Sequence, residues 1–444
     1  MKISVIGCGY LGAVHAAGLA KLGHEVIGVD VDEAKISELR AGRAPFFEPQ
    51  LPELLSEGAQ SGRLSFTTDI SDVAGCQVHF VCVGTPQRKG DYAADLSYVD
   101  AAFEALAPYL GSGEVAVCKS TVPVGTAQRI SDRLAETAPR AILAWNPEFL
   151  REGHAVKDTL APDRLVYGLP TGNSGAQAAE LLDKVYQQPM AAGTPRLLMD
   201  YATSELVKVA ANYFLATKIS FINAMAEVCD AAGADVSMLA DAIGMDERIG
   251  RKFLNARLGF GGGCLPKDIR AFMARAGELG ADQALTFLKE VDAINMRLRI
   301  KLVELVRSLF AEPGASAAAP LLGKRVTVLG AAFKPDSDDV RDSPALNVAA
   351  QLQLQGATVT VSDPEAIPNA AQRFPTLAYE ADMDAALEGA DIVVLLTEWN
   401  QYRELDPVTL AGKVSGKKIV DGRNVLDPTA WRAAGWTYRS LGRP

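Results

Sequence analysis

The chain has 444 residues, and at roughly 100–200 residues per domain this length calls for two to four domains. Hydrophobic residues make up 48% and charged residues 22%, a globular balance that excludes wholesale disorder. Lys and Arg total 44 against 54 Asp and Glu, a net charge of −10, which argues against nucleic-acid or anionic-membrane partners but not against a small anion held by a few local cations. No stretch reaches the ~18 uncharged apolar residues of a membrane span, and the opening MKISVIGCGYLG has neither a signal-peptide core nor a cleavage pattern. A cytoplasmic protein is expected. The six cysteines, Cys8, Cys76, Cys82, Cys118, Cys229 and Cys264, form no CxxC pair and read as free thiols of a reducing compartment. Inert packing is the default for five of them.

Along the first third, short β-branched runs alternate with helical patterns. Lys2–Ile6, Glu25–Asp30, Val78–Val83, Glu114–Lys119 and Ile142–Trp145 read as strands, and residues near 12–22, 32–40, 96–107 and 125–136 as helices. Alternating βα units predict a parallel sheet covered on both faces, which Leu165–Gly168 and Arg196–Met199 could extend. From Thr203 the period changes. Ser204 to Cys229 contains no Pro or Gly, and Leu206, Val209, Ala210, Tyr213 and Phe214 recur at helical spacing, so one long helix is predicted. Further helices are expected near 235–243, 268–279 and 284–308. AEPGASAAAPLLG, residues 311–323, reads as a linker. Strands then return at Arg325–Leu329, Thr358–Ser362, Ile392–Thr397 and Lys418–Val420. The expected division is 1–202, a helical 203–310, the linker 311–323, and 324–444.

The two ends echo each other. KISVIG followed by HEVIGVD parallels KRVTVLG followed by ATVTVSD, each a strand ending in Gly, a helix, and a strand ending in Asp (Asp30, Asp363). Only the first carries the glycine fingerprint GCGYLG, with Gly7 for the tight turn, Gly9 for close backbone approach to a pyrophosphate, and Gly12 for helix–strand packing. Asp30 lies 18 residues beyond Gly12, where a carboxylate accepts ribose hydroxyls and repels a 2′-phosphate, favouring NAD. Two Rossmann-like halves with different ligands are expected.

Other residues are ambiguous when read alone. Lys208 and Asn212 share a helix face, as a solvated stripe or as a site. Glu148 and Glu152 stand at a strand end, where open α/β sheets place ligands but where charged loops are also common. Cys264 sits in GFGGGCLPKD among glycines and cations, and a thiol of pKa about 8.5 gains thiolate beside a cation. Asp268 reads as the N-cap of the next helix, as a proton-transfer group, or as both. His15, His24, His79 and His154 show no metal-ligand spacing.

VGTP at 83–86, KSTVPVGT at 119–126, NPEFLREG at 146–153, ELVKVAANY at 205–213, GFGGGCLPKD at 259–268 and FKPDSDDVRDSP at 333–344, together with GCGYLG, resemble the UDP-glucose/GDP-mannose dehydrogenase family in order and spacing from residue 1 to about 430. The resemblance implies an α/β chain in which two Rossmann-like domains are joined by a helical, dimerising middle domain with a long central helix. It implies NAD-dependent, four-electron oxidation of a nucleotide-sugar 6-hydroxyl, through a cysteine thiohemiacetal and thioester, and no metal. NPEFLREG favours UDP-glucose as substrate. Gly263 and Leu265, where a small hydroxyl residue and Phe are frequent, and Phe47, where Tyr is frequent, leave GDP-mannose and N-acetylated UDP-hexosamines open.

Residue by residue, the resemblance makes Cys264 the nucleophile, and Lys208 the group that stabilises charge on the substrate oxygen. Asn212 would hydrogen-bond that oxygen or the catalytic water. Glu152 would activate water, Glu148 would line the same site, Thr121 would hold a water, and Asp268 would assist the proton transfers. The sugar nucleotide would meet Glu148, Phe149, Leu150, Arg151 and Glu152, then Lys208 and Asn212. Beyond them it would meet Asn255, Arg257, Leu258, Gly259, Phe260, Gly261, Phe333, Lys334 and Arg423. Arg248 would enter the neighbouring subunit of a homodimer or higher even oligomer. NAD would meet Gly7, Gly9, Tyr10, Leu11, Gly12 and Asp30, and also Lys35, Thr85, Thr121, Glu152, Cys264, Lys267 and Arg341.

Overall fold

Apolar, β-branched runs of four or five residues build the first sheet: β1 (Lys2–Ile6), β2 (Glu25–Val29), β3 (Leu64–Thr67), β4 (Val78–Val81), β5 (Val115–Cys118), β6 (Ile142–Trp145), β7 (Leu165–Gly168) and β8 (Arg196–Met199). The computed structural model describes residues 1–311 and 319–443, so most of the expected linker, 312–318, lies outside the described residues. The strand order is β3-β2-β1-β4-β5-β6-β7-β8. All neighbours run parallel except β6 and β7, which meet antiparallel through Trp145 and Gly168. This is the doubly wound order, with its crevice at the carboxyl ends of β1 and β4 where the winding reverses. Helices cover both faces, so β1 is buried on each: Ile3 and Val5 join one apolar core and Ile6 another. Leu165–Gly168 and Arg196–Met199 extend the sheet as expected.

The second sheet repeats the plan: β9 (Arg325–Leu329), β10 (Thr358–Ser362), β11 (Ala378–Tyr379), β12 (Ile392–Leu395), β13 (Lys418–Asp421) and β14 (Thr437–Ser440), in the order β11-β10-β9-β12-β13-β14 and parallel throughout. The echo between the chain ends is therefore an echo of topology. Between the sheets in sequence lie the helices Tyr201–Ala232, Val236–Gly244, Leu265–Glu278 and Thr286–Ser308. The long helix outruns its expected span at both ends. Asp200 accepts the Thr203 N–H at 2.8 Å and so caps its start. Gly233, at φ +71°, ends it.

The described residues group into two compact units, one of residues 1–211 with 270–280 and the other of 212–269 with 281–444. No helix among the described residues is long and apolar enough to cross a membrane.

Candidate functional site

In the first unit the fingerprint turn joins β1 to the helix Tyr10–Lys21. A Cβ on Gly12 would fall 1.8 Å from the Gly7 carbonyl oxygen, so only glycine lets the helix sit this close to the turn. Around Gly9, in contrast, a Cβ would have nothing within 4 Å, and no side chain caps this helix. The helix start is thus uncapped beside open space at Gly9, the arrangement that receives a pyrophosphate. Asp30, just past β2, is held by the Cys8 N–H at 2.8 Å, the Asp32 N–H at 3.1 Å and Lys35 Nζ at 2.9 Å. Its carboxylate keeps acceptor capacity for a ribose hydroxyl. These residues fit NAD. Thr85 Oγ1 donates to the Thr121 carbonyl at 2.8 Å, which brings two more expected contacts together.

Tyr10 reaches further than the fingerprint alone indicates. Its hydroxyl donates to Glu48 and accepts the Gly153 N–H at 3.2 Å. Glu48 is buried and also accepts N–H bonds from Gly153 and Ala155, both at 2.7 Å. This carboxylate fastens the NPEFLREG turn to the first helix and caps the helix Ala155–Leu160. The sequence reading missed Glu48; a Glu inside the apolar run PFFEP was the available signal. Within the turn, Glu148 pairs with Lys208 Nζ at 3.0 Å and accepts the Leu150 N–H at 2.6 Å. The Arg164 guanidinium stacks 3.8 Å from the centre of the Phe149 ring. Arg151 turns to Asp158 at 2.9 Å.

In the second unit the glycine-rich loop is clamped by Asn295, which accepts the Phe260 N–H at 2.8 Å and donates to its carbonyl at 3.0 Å. Leu258 N–H bonds the Gly422 carbonyl at 2.8 Å, just beyond β13. Phe333 and Arg341 cover the loop: a Cβ on Gly262 would lie 2.7 Å from the Phe333 ring, and one on Gly263 would lie 2.2 Å from the Arg341 guanidinium. The departure at Gly263 is therefore matched to Arg341, which would have to move for any side chain there. Arg341 itself is paired with Asp339 at 2.8 Å. Lys334 Nζ lies 5.3 Å from the centre of the Phe333 ring.

The loop ends at Cys264, whose carbonyl accepts the Asp268 N–H at 3.0 Å. The helix starts at Leu265, earlier than expected, because Pro266 is suited to a first helical turn. This corrects one reading. Asp268 is not the N-cap but stands in the first turn, and Cys264 takes the capping position. A helix N-terminus favours negative charge, so the thiol gains an influence that the sequence reading did not assign. Lys267, expected as a cation near the thiol and as an NAD contact, is paired with Asp268 at 2.6 Å. The other Asp268 oxygen accepts Asn212 Nδ2 at 3.0 Å. Cys264 is exposed and the other five cysteines are buried. Burial pushes the Cys76 thiol up to about 11 and the Cys82 thiol up to about 12.

Arg257 and Arg423 meet through a residue that was not foreseen. Both pair with Glu398, which is 3% exposed. Burial alone would push Glu398 up, but Arg423 and Arg257 outweigh it and hold the carboxyl down at about 2. One buried carboxylate thus orients two cations. Asn255 accepts Arg251 Nη1 at 2.8 Å. Arg248 pairs with Asp246 at 2.6 Å and leaves 88% of its side chain exposed.

The second sheet closes its own version of the ribose seat. Asp363, at the end of β10, is 2% exposed and accepts the N–H groups of Ala331 at 2.7 Å and Ala332 at 3.1 Å, and Trp399 Nε1 at 3.1 Å. Those three bonds go to Oδ2, and Oδ1 accepts the N–H groups of Glu365 at 3.0 Å and Ala366 at 2.9 Å, so its position matches Asp30 but both of its oxygens are consumed internally.

One sheet open to a dinucleotide, a helical region, and a second sheet of the same winding with its carboxylate shut define a two-sheet α/β chain with one open dinucleotide seat. Models of the UDP-glucose/GDP-mannose dehydrogenase family match the chain in three parts: the NAD binding domain at residues 1–189, the central domain at 202–297 and the UDP binding domain at 327–428. The chain belongs to this family, and is an NAD-dependent oxidoreductase. It is 42% identical to a UDP-glucose 6-dehydrogenase of Rhizobium meliloti strain 1021, over 100% of both chains. It is 39% identical to UDP-glucose 6-dehydrogenase TuaD of Bacillus subtilis strain 168, over 100% of this chain and 93% of that one. Among solved structures, a UDP-glucose dehydrogenase from the hyperthermophilic archaeon Pyrobaculum islandicum aligns with a TM-score of 0.88 at 39% identity, covering 100% of this chain and 98% of the other. A UDP-D-ManNAc dehydrogenase from Pyrococcus horikoshii aligns at 0.85 with 25% identity, covering 100% and 99%.

Proposed function

We propose that the chain oxidises UDP-glucose to UDP-glucuronate in two two-electron steps, through a thiohemiacetal and then a thioester on Cys264. The observation that carries this reading is Cys264 itself: the exposed thiol among six, it caps a helix and stands one turn before the Asn212–Asp268 pair. NAD, when bound on Gly7, Gly9, Gly12 and Asp30, supplies the acceptor for the hydride lost at each step. In the first step the sugar C6 gives up a hydride and its hydroxyl a proton. Lys208, already paired with Glu148, stabilises the negative charge on that oxygen. The Cys264 thiolate then adds to the aldehyde carbon, forming a C–S bond. Loss of the second hydride converts this adduct to a thioester. Glu152 takes a proton from a water held by Thr121. The water attacks, the C–S bond breaks, and the thiolate returns while the acid leaves. Asn212 hydrogen-bonds the substrate oxygen or the catalytic water, and Asp268, which accepts Asn212 Nδ2, assists the proton transfers. Arg257 and Arg423, preset by Glu398, offer cations to the diphosphate.

The choice of sugar rests on the relatives. Those named UDP-glucose 6-dehydrogenase are 36–42% identical to the chain, whereas the structures named for N-acetylated sugars are 22–26% identical. On this reading residues 1–202 hold NAD, 203–310 form the dimerising region and 324–444 hold the UDP end. The dimer is supported by Phe214, Phe221 and Val228, which recur every seven residues along the long helix and are 66%, 47% and 56% exposed. A cytoplasmic location is supported by six cysteines without a disulfide. The test is a panel of UDP- and GDP-sugars with NAD, following NADH absorbance. Two NADH per UDP-glucose are expected. One NADH per sugar would reduce the reaction to a simple alcohol oxidation, and a preference for GDP-mannose or an N-acetylated UDP-hexosamine would move the substrate.

A further inference from the structure

Lys119 directly follows β5 and is buried. Its Nζ donates to Asn146 Oδ1 at 2.9 Å and reaches the Asn146 carbonyl oxygen at 3.4 Å. The same Oδ1 accepts the Tyr186 hydroxyl at 2.7 Å, and Asn146 Nδ2 donates to the Val166 carbonyl at 2.9 Å. All polar atoms of this side chain are thereby fixed. Asn146 is where the chain leaves β6, two residues before Glu148. The rings of Phe80 and Tyr186 lie 5.8 and 6.0 Å from Nζ. A buried ammonium whose direct partners are neutral oxygens is expensive, and an apolar side chain of similar length would fill the space more cheaply. The charge therefore has work to do beyond packing.

We propose that Lys119 is a positioning residue: through Asn146 it fixes the start of the Pro147–Leu150 turn, and so sets where Glu148 meets Lys208. The inference rests on the function proposed above. Its charge is part of the device. Burial lowers the ammonium from 10.5 to about 8, Cys82, Glu148 and Cys118 resist that fall, and Lys208 adds to it. The groups facing it are mostly neutral at working pH. Burial holds His15, on the first helix, well below its ordinary value, with Lys119 contributing. Burial also raises the thiols of Cys82, just past β4, and Cys118 on β5, and the Tyr186 hydroxyl. Glu148 and Lys208 remain as the charged neighbours. Above about pH 8 Lys119 loses its proton, the charge-assisted bond to Asn146 weakens, and the turn loses its anchor.

The experiment compares wild type with Lys119→Met and Lys119→Arg, using the sugar nucleotide that the wild type turns over best. Wild-type inactivity on the whole panel would overturn both the proposed function and this inference. Activity with a sugar other than UDP-glucose revises only the former. Lys119→Met is expected to retain its melting temperature and to bind NAD within about threefold of wild type. Its kcat should fall by ~10²-fold, as for a misplacement on the order of 1 Å, with KM changing far less. The alkaline limb of kcat near pH 8 should disappear. Lys119→Arg, whose charge persists, should move that limb upward. A wild-type kcat in the Met variant, or an alkaline limb left in place, would overturn the inference. If the Met variant fails to fold, the Arg variant decides, and a limb unmoved from the wild-type pH counts against it.

Discussion

Cys264 and Asp30 each depend on a few backbone contacts, and each can be tested by one substitution. Cys264→Ser retains the helix start but exchanges a thiolate for a hydroxyl that is far less ionised. The first oxidation needs no nucleophile on the enzyme, so UDP-glucose and NAD should still bind. Acid formation should fall by several orders of magnitude, within the range seen when a covalent nucleophile is removed. Mass spectrometry of products and intact protein should reveal traces of aldehyde or a trapped ester; near-normal yields of acid would end the thioester mechanism. Asp30→Ala removes the acceptor held by the Cys8 N–H and Lys35. NAD affinity should drop by at least tenfold in calorimetry while UDP affinity stays within about twofold, since a well-placed charged hydrogen bond is worth roughly 1.5–3 kcal/mol. Equal losses for both ligands would mean that Asp30 acts on folding instead.

At the level of elements, Glu205 on the long helix is joined to the helix Thr126–Thr137. Its carboxylate accepts the N–H groups of Gly125 at 2.8 Å and Ala127 at 2.7 Å. Burial raises its pKa from 4.5 to about 7, against these bonds and the nearby Arg275. The folded chain therefore holds this proton more tightly than the unfolded chain. Its contribution to stability is fully present below about pH 4.5 and is lost as pH rises through about 7. Glu205→Gln keeps one acceptor but cannot ionise, so its melting temperature should decline less than that of wild type between pH 5 and 8. Parallel declines would assign the titration to another group. Elements of this kind were legible in sequence wherever their pattern was long: the 32-residue helix, both βα series and the fingerprint. The edge strands β3 (LSFT), β11 (AY) and β14 (TYRS) were not, because none of them carries an apolar run that stands out from a loop. Cys264, Lys208 and Asp30 could be chosen by residue type and spacing. Glu205 and Glu398 could not, since each bonds groups distant in sequence and neither stands in a glycine-marked turn; Glu48 left only the signal of a carboxylate inside an apolar run.

For the whole molecule, the proposed oligomer predicts that sites are shared. Arg248 leaves most of its side chain in solvent and meets Asp246 of its own chain, which is compatible with service in a neighbouring subunit. Arg248→Ala and Cys264→Ser variants should each be poorly active alone. After subunit exchange, confirmed by native mass spectrometry, their mixture should recover up to about a quarter of wild-type activity, because some hybrid sites then combine an intact arginine with an intact thiol. Exchange without recovery would confine Arg248 to its own subunit.

The buried Asp363 has a bearing on how a chain can carry the same sheet twice. A duplicated binding module ordinarily brings a duplicated appetite: two seats that compete for the same coenzyme and blur the saturation curve. Here the tryptophan indole and two amide groups occupy the carboxylate of the second seat, so the copy keeps its architecture while being closed to a second dinucleotide and left to the UDP end. Titration with NAD should therefore saturate at one equivalent per chain. A second equivalent of comparable affinity would show that the indole and amide groups can be displaced.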